Sequence, residues 1–161
     1  MKTIIKFFTK NAPSVGIAVL VLFVGLSSCK KDDAVVTNGL VNYSGSFVKS
    51  GDAVVTSATG TTTGSFNPTT YVLTYTVTWN GLTSNAAAMH FHDAGPVIIP
   101  ITGFSQTTSG SYSGTATFTA DQAADLAAGK IYVQIHSVNI PAGEIKATLS
   151  KVSTPSSSGG Y

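Results

Sequence analysis

The sequence predicts an all-β fold, an antiparallel, Greek-key-like β-sandwich with one short helix, and three observations predict it. Thr, Val, Ser, Gly and aromatic residues dominate residues 39–152, and these types suit a pleated, half-buried surface. Turn signals such as Asn67-Pro68, Asn80-Gly81 and the stretch from Asn139 to Gly143 recur at short intervals. Between them apolar residues alternate with a period of two, so one set faces a core and the other faces away.

Residues 41–49 are expected to form the first strand and residues 53–66 the second, broken near Gly60. Residues 71–79 carry the clearest pattern. Tyr71, Leu73, Tyr75, Val77 and Trp79 point one way, while Val72, Thr74, Thr76 and Thr78 point the other. Asn67-Pro68 opens a turn before this strand and Asn80-Gly81 closes one after it. Further strands are expected over 85–92, 97–101 and 111–119. Thr119-Ala120-Asp121-Gln122 reads as a capping box, with Thr119 as N-cap and Gln122 reaching back. Ala123 to Ala128 propagate a helix that Gly129 stops, and Leu126 is the residue expected to cover one end of the core.

The last two strands set a register. Ile131, Val133 and Ile135 alternate with Tyr132, Gln134 and His136; Ile145, Ala147 and Leu149 alternate with Glu144, Lys146 and Thr148. Matching the apolar faces puts Ile135 opposite Ile145, Val133 opposite Ala147 and Ile131 opposite Leu149. A slip of one residue would put the two apolar sets on opposite faces. This register sets His136 opposite Glu144, the only Glu of the chain, on the face away from the core.

The N-terminus predicts a compartment. Lys2, Lys6 and Lys10 precede an apolar run over residues 15–26, about the length of a signal-peptide core and too short for a comfortable membrane span. Leu26-Ser27-Ser28-Cys29 resembles a bacterial lipobox, so residues 1–28 are expected to be removed and Cys29 to carry the lipid. Cys29 is the only Cys, which excludes an intrachain disulfide. Two or three palmitate-type acyl chains at about 0.8 kcal/mol per buried methylene would make the anchor effectively permanent. Lys30-Lys31-Asp32-Asp33 resembles the start of Bacteroidota lipoproteins, some of which reach the cell surface. The expected location is the cell envelope, as an outer membrane lipoprotein with either the periplasmic or the surface leaflet open to it. Residues 29–38 read as a lipidated tether, 39–152 as one domain and 153–161 as a Ser/Gly-rich disordered tail.

Charge excludes one class of partner. The whole chain is +2, but three of its nine lysines leave with the signal, so six lysines then face seven acids for a net charge of −1. The chain has no Arg. A near-neutral domain without Arg lacks the electrostatic footprint of a nucleic-acid binder.

The stretch from Ala86 to Gly95 holds two of the three histidines. Ala87, Met89 and Phe91 are expected on the core side, which leaves His90 and His92 together on the outer side, about 6–7 Å apart. With His136 they form a candidate metal site, and Glu144 or Asp93 could serve as ligand or as partner to a ring. Imidazole suits Zn or Cu, and a carboxylate can fix a ring's tautomer. The same residues could instead brace loops through a hydrogen-bond network or contact a protein directly.

Three elements carry a family resemblance. Ala88-Met89-His90-Phe91-His92-Asp93-Ala94-Gly95 resembles the "A-x-H-I-H-x-G" element of the CHRD domain, named after chordin. The segment from Leu126 to His136 resembles its "L-x-x-G-x-x-Y-V-x-V-H" element, and Pro141-Ala142-Gly143-Glu144-Ile145-Lys146 resembles its "P-x-G-E-I-R-G" ending. Lys146 and Ala147 depart from the last motif's Arg and Gly. The resemblance spans residues 40–151 and implies a β-sandwich module whose signature positions are His90, His92, Gly95, Tyr132, His136, Gly143 and Glu144. The growth-factor partners of the animal members are not implied for a bacterial one.

The function these observations predict is a non-enzymatic envelope binding module for a protein or surface ligand. A Cu- or Zn-binding domain and a passive structural component are the alternatives. The His-x-His element also resembles the copper strand of Cu/Zn superoxide dismutases, but three histidines are too few for their second metal and no Cys pair is present. Cupins are excluded by the lack of a Glu at their spacing. No G-x-S-x-G, P-loop or dinucleotide fingerprint occurs, and one Glu with six Asp, two of them in the tether, makes a poor glycosidase pair.

Overall fold

The structure is a computed structural model and describes residues 36–37 and 39–153. The signal segment, Cys29, nearly all of the tether and residues 154–161 of the tail lie outside the described residues. Two antiparallel sheets make a sandwich. One has six strands: β1 (Val36–Thr37), β2 (Leu40–Ser46), β4 (Thr59–Asn67), β5 (Val72–Asn80) and β8 (Gly110–Thr117) in that order, with β11 (Ser150–Lys151) also paired to β2. The other has five, in the order β3 (Val48–Lys49), β10 (Ile145–Thr148), β9 (Ile131–Ser137), β6 (Ala86–Asp93) and β7 (Val97–Ile101). The inner faces meet through aromatic edges: the Tyr75 ring lies 4.9 Å from Phe91 at 87°, and Phe91 lies 5.8 Å from Phe118. Every residue of this core falls between Tyr43 and Leu149.

The sandwich is closed along one side by strands that change sheets. The segment expected as one strand over 41–49 is two, because the chain crosses at buried Phe47 from β2 into β3. Leu149, with no exposed surface, marks the return crossing from β10 to β11. The expected break near Gly60 is also corrected. Residues 53–58 are loop, whereas Gly60 lies inside β4 and pairs with Trp79. A Cβ there would come within 2.1 Å of the Thr78 carbonyl and 3.1 Å of Phe47, and the Gly60 carbonyl accepts from Phe47 N at 2.9 Å. The glycine makes room for the crossing, not for a break.

Two expected placements shift for local reasons. Tyr71 is not in the strand but ends the turn before it, at φ 57 and 38% exposed. The Asn67 side chain caps that turn by accepting from Thr69 N and Thr70 N. Ala87 is exposed and Ala86 takes the core position, because the β6–β9 ladder shifts register between Ala86 and Ala88. After Asn80-Gly81 the chain leaves the six-stranded sheet and enters β6 of the other. The helix α1 (Ala120–Ala127) has the expected capping box, buries Ala123 and Leu126, and ends at Gly129 with φ 72.

Candidate metal centre

The site sits on the outer face of the five-stranded sheet, where strand alternation places it. In β6 the side chains of Met89 and Phe91 turn into the core, so His90 and His92 turn out. In β9 the buried Ile131, Val133 and Ile135 leave Tyr132, Gln134 and His136 facing the same way. Pairing β6 to β9 sets His90 opposite Gln134, His92 opposite Tyr132 and Ala88 opposite His136. His136 therefore approaches His90 diagonally across the ladder, within reach of a ring.

The three histidines converge. Each offers a ring nitrogen, and these nitrogens lie within 4.8 Å of one another. His90 Nδ1 is 3.2 Å from His136 Nε2. Two nitrogens about 2.0–2.1 Å from a tetrahedral zinc stand roughly 3.3 Å apart, so this separation matches one edge of such a site.

Backbone carbonyls fix which nitrogens face inward. His92 Nδ1 donates to the Gly95 carbonyl at 2.8 Å, and His136 Nδ1 donates to the Pro141 carbonyl at 2.9 Å. Each ring then keeps Nε2 unprotonated, which is how ligand imidazoles are oriented in metal sites; Nε2 of His136 faces His90 Nδ1. His92 Nε2 is buried and has no hydrogen-bond partner. A buried polar atom left so costs about 1–3 kcal/mol. The His92 ring is held flat by Tyr132, stacked at 4.9 Å and 7°, and Lys146 Nζ lies 5.8 Å from the centre of the Tyr132 ring. Burial, then the proximity of His136 and His92, lowers the pKa of His90, so its ring resists protonation.

Glu144 is not part of this cluster. The β9–β10 register is as expected, with Ile145 opposite Ile135 and Ala147 opposite Val133, and Leu149 N donates to the Ile131 carbonyl. Yet Glu144 lies just before β10 and has no exposed surface. Its carboxylate accepts from Thr56 Oγ1 at 2.6 Å, Thr83 N at 2.9 Å and Thr83 Oγ1 at 3.0 Å. Burial alone would raise its pKa, but hydrogen bonds from Ser137, Thr56 and Thr83 together lower it. The expectation of Glu144 beside His136 on the outer face is thus corrected: Glu144 clamps three loops from inside. Asp93 is also placed elsewhere. Its carboxyl meets Asp125 beside Lys130, and its pKa is raised by burial and by Asp125.

The 138–144 hairpin loop joins the two features. Its Pro141 carbonyl accepts from His136, its Ala142 carbonyl accepts from Gln134 Nε2 at 3.4 Å, and its Gly143 carbonyl accepts from Ser50 Oγ. Gly143, at φ 113, lies under Gln134, where a Cβ would come 1.9 Å from Nε2. The signature positions therefore divide into two tasks. His90, His92, Gly95, Tyr132 and His136 build the cluster; Gly143 and Glu144 hold the loop that orients His136. The sequence reading missed Thr56 and Thr83 as partners of Glu144, since hydroxyls in distant loops carry no periodic signal. Gln134 was legible only as an outward residue.

No curated protein and no solved structure matches the chain. The family model described as CHRD domain matches residues 40–149, the span that holds both sheets' core and every residue of the histidine cluster. The chain belongs to the CHRD domain family.

Proposed function

We propose that this CHRD domain is a non-enzymatic binding module whose ligand is one Zn or Cu ion, held by His90, His92 and His136 with a fourth position left open. The observation that carries the reading is the convergence of three imidazole nitrogens within 4.8 Å. The carbonyl partners of His92 and His136 support it, because they leave Nε2 of both rings unprotonated and facing the cluster. A metal bond would also supply the partner that buried His92 Nε2 lacks. A donor set of nitrogens alone favours Zn or Cu over the oxygen-seeking Ca or Mg. Docking of a protein has less support: no observation comparable to the histidine convergence marks a docking surface among the exposed large apolar residues Val48, Val55, Tyr71, Val97 and Val138 of the described chain. The lipobox-like Leu26-Ser27-Ser28-Cys29 supports placing the module on the outer membrane through a lipidated Cys29.

Metal content tests the reading. Residues 33–161, which include the whole core, are purified without a histidine tag, incubated with Zn or Cu and desalted beside a His90→Ala/His92→Ala variant. Near-stoichiometric metal in the parent and its loss in a variant with an unchanged circular dichroism spectrum is the expected outcome. No retained metal in either protein would leave the histidines as braces for the 138–144 and 93–96 loops.

A further inference from the structure

The sandwich has two short edges, one interrupted edge and one that is neither. β1, β3 and β11 are two residues long, and β3 and β11 each carry a lysine, Lys49 and Lys151. β7 contains Pro100, which has no N–H to offer, and the ladder beside it shifts register between Phe91 and His92. Each of these is a recognised device against pairing with a further strand. β8 has none of them. It runs eight residues, Gly110–Thr117, without a charge or a proline, and pairs with β5 residue for residue with no bulge. Among the described residues nothing pairs with its other side. Alternate backbone N–H and C=O groups of that strand therefore face outward.

We infer that β8 is an interaction edge and that its partner is β8 of a second copy of this chain, paired antiparallel about a two-fold axis to join two six-stranded sheets into one. Two features favour a second copy over an unrelated peptide. The outward side chains Ser111, Ser113 and Thr115 end hydroxyl rows that cross the sheet, with Ser113 Oγ 2.8 Å from Thr76 Oγ1. A hydroxyl both donates and accepts, so a row that ends in Ser or Thr is complementary to its own copy. The strand is also uncharged over its whole length, so a two-fold axis brings no like charges together. The contact is a small one, of the size that gives weak, concentration-dependent association. It uses none of the metal-site residues and stands apart from that reading.

Sedimentation equilibrium on residues 33–161 in the presence of a chelator, so that metal cannot bridge copies, measures it. The parent is expected to pass from monomer to dimer between micromolar and millimolar concentration. A Ser113→Lys/Thr115→Lys variant, which sets lysines against one another across the axis, should weaken the dimer by at least about tenfold with an unchanged thermal midpoint. Thr63→Lys places the same charge on the same face in β4, away from the edge, and should leave association unchanged. A parent that stays monomeric at millimolar concentration overturns the inference. So does a dimer that Thr63→Lys dissociates as readily as the edge variant, since that would mark a contact through the face. If the edge variant loses its fold, slowed amide exchange over 110–117 in the parent at high concentration decides: its presence supports the pairing and its absence refutes it.

Discussion

On the six-stranded sheet, the outward positions of adjacent strands read Thr61, Thr78, Ser111 across one row and Thr63, Thr76, Ser113 across the next. Hydroxyl meets hydroxyl at 2.9 Å between Thr61 and Thr78; Thr61, Thr63, Ser111 and Ser113 are exposed, and Thr76 and Thr78 between them are half-buried. On the five-stranded sheet, the outward positions of β6 and β9 include His90, His92, Tyr132, Gln134 and His136; ring contacts join His90 to His136 and His92 to Tyr132 across the ladder, and His92, Gln134 and His136 are tied in addition to loop carbonyls. Both faces follow from the same alternation. The difference is that the first face is assembled from cross-strand neighbours alone, whereas the second needs a loop, and the loop needs a buried carboxylate. One face is local and replaceable; the other depends on residues distant in sequence and should fail as a unit.

Glu144→Ala is expected to separate the faces most. It empties the buried site of the carboxylate and leaves the part-buried donors of Thr56 and Thr83 without their acceptor, at a cost of about 3 kcal/mol in urea unfolding, and it should abolish metal retention by releasing the 138–144 loop. The same carboxylate sets an acid limit. Its folded pKa lies below the ordinary 4.5, so it contributes stability that is present above that value and is lost as pH falls through the lower, folded one. Chemical denaturation from pH 7 to pH 3 should show this loss in the parent and a flatter profile in Glu144→Gln.

Gly143→Ala comes next. Its Cβ meets Gln134 Nε2 and its φ is unfavourable to any other residue, so about 1–3 kcal/mol of stability is expected to go. The displaced loop should weaken metal binding while the six-stranded sheet keeps its amide-exchange protection.

Acidification probes the cluster itself. Bound Zn should raise stability by about 2.7 kcal/mol at a hundredfold excess over its dissociation constant, and His90→Ala should remove that gain. The gain should decline with acid, because the ion binds neutral imidazoles and competes with protons for them. Without metal the sign is the same but the effect is small. His90 has a lowered folded pKa, so its stability contribution declines as pH drops from the unfolded value of 6.5 toward the folded one. Denaturation of the metal-free and metal-loaded domain across that range distinguishes the two.

The smallest effect belongs to the other face. Thr63→Ala should change stability by about 0.5 kcal/mol or less and leave metal content untouched. A larger loss would mean that the hydroxyl face is as interdependent as the histidine one.

Alternation made much of this legible in the sequence. The β9–β10 register could be read because Ile131, Val133 and Ile135 have only one way to meet Ile145, Ala147 and Leu149 without exposing either set. The pairing of His90 with His92 on the outer face was legible for the same reason. Glu144 was misplaced where alternation stops applying: it stands one residue before β10, after Gly143 at positive φ, and its side chain follows the loop inward. Ala87 was misplaced by the irregularity beside it, and residues 41–49 by a crossing that leaves β character on both sides of Phe47. Period-two reasoning carries no information about a bulge or a change of sheet. The approach of Thr56 and Thr83 to Glu144 is a tertiary fact across 88 and 61 residues of chain, with no local pattern to announce it.

Because β1 and β11 both pair with β2, the described chain enters and leaves the sandwich along a single edge. A pull exerted through either end is borne first by ladders of two residues, which can peel while β2 to β8 stay zipped together. The histidines sit in the opposite sheet, on β6 and β9, and neither strand pairs with β1, β2 or β11. A tug on the N-terminal side would therefore spend itself on the two-residue β1 ladder before it reached the cluster, a form of mechanical insulation.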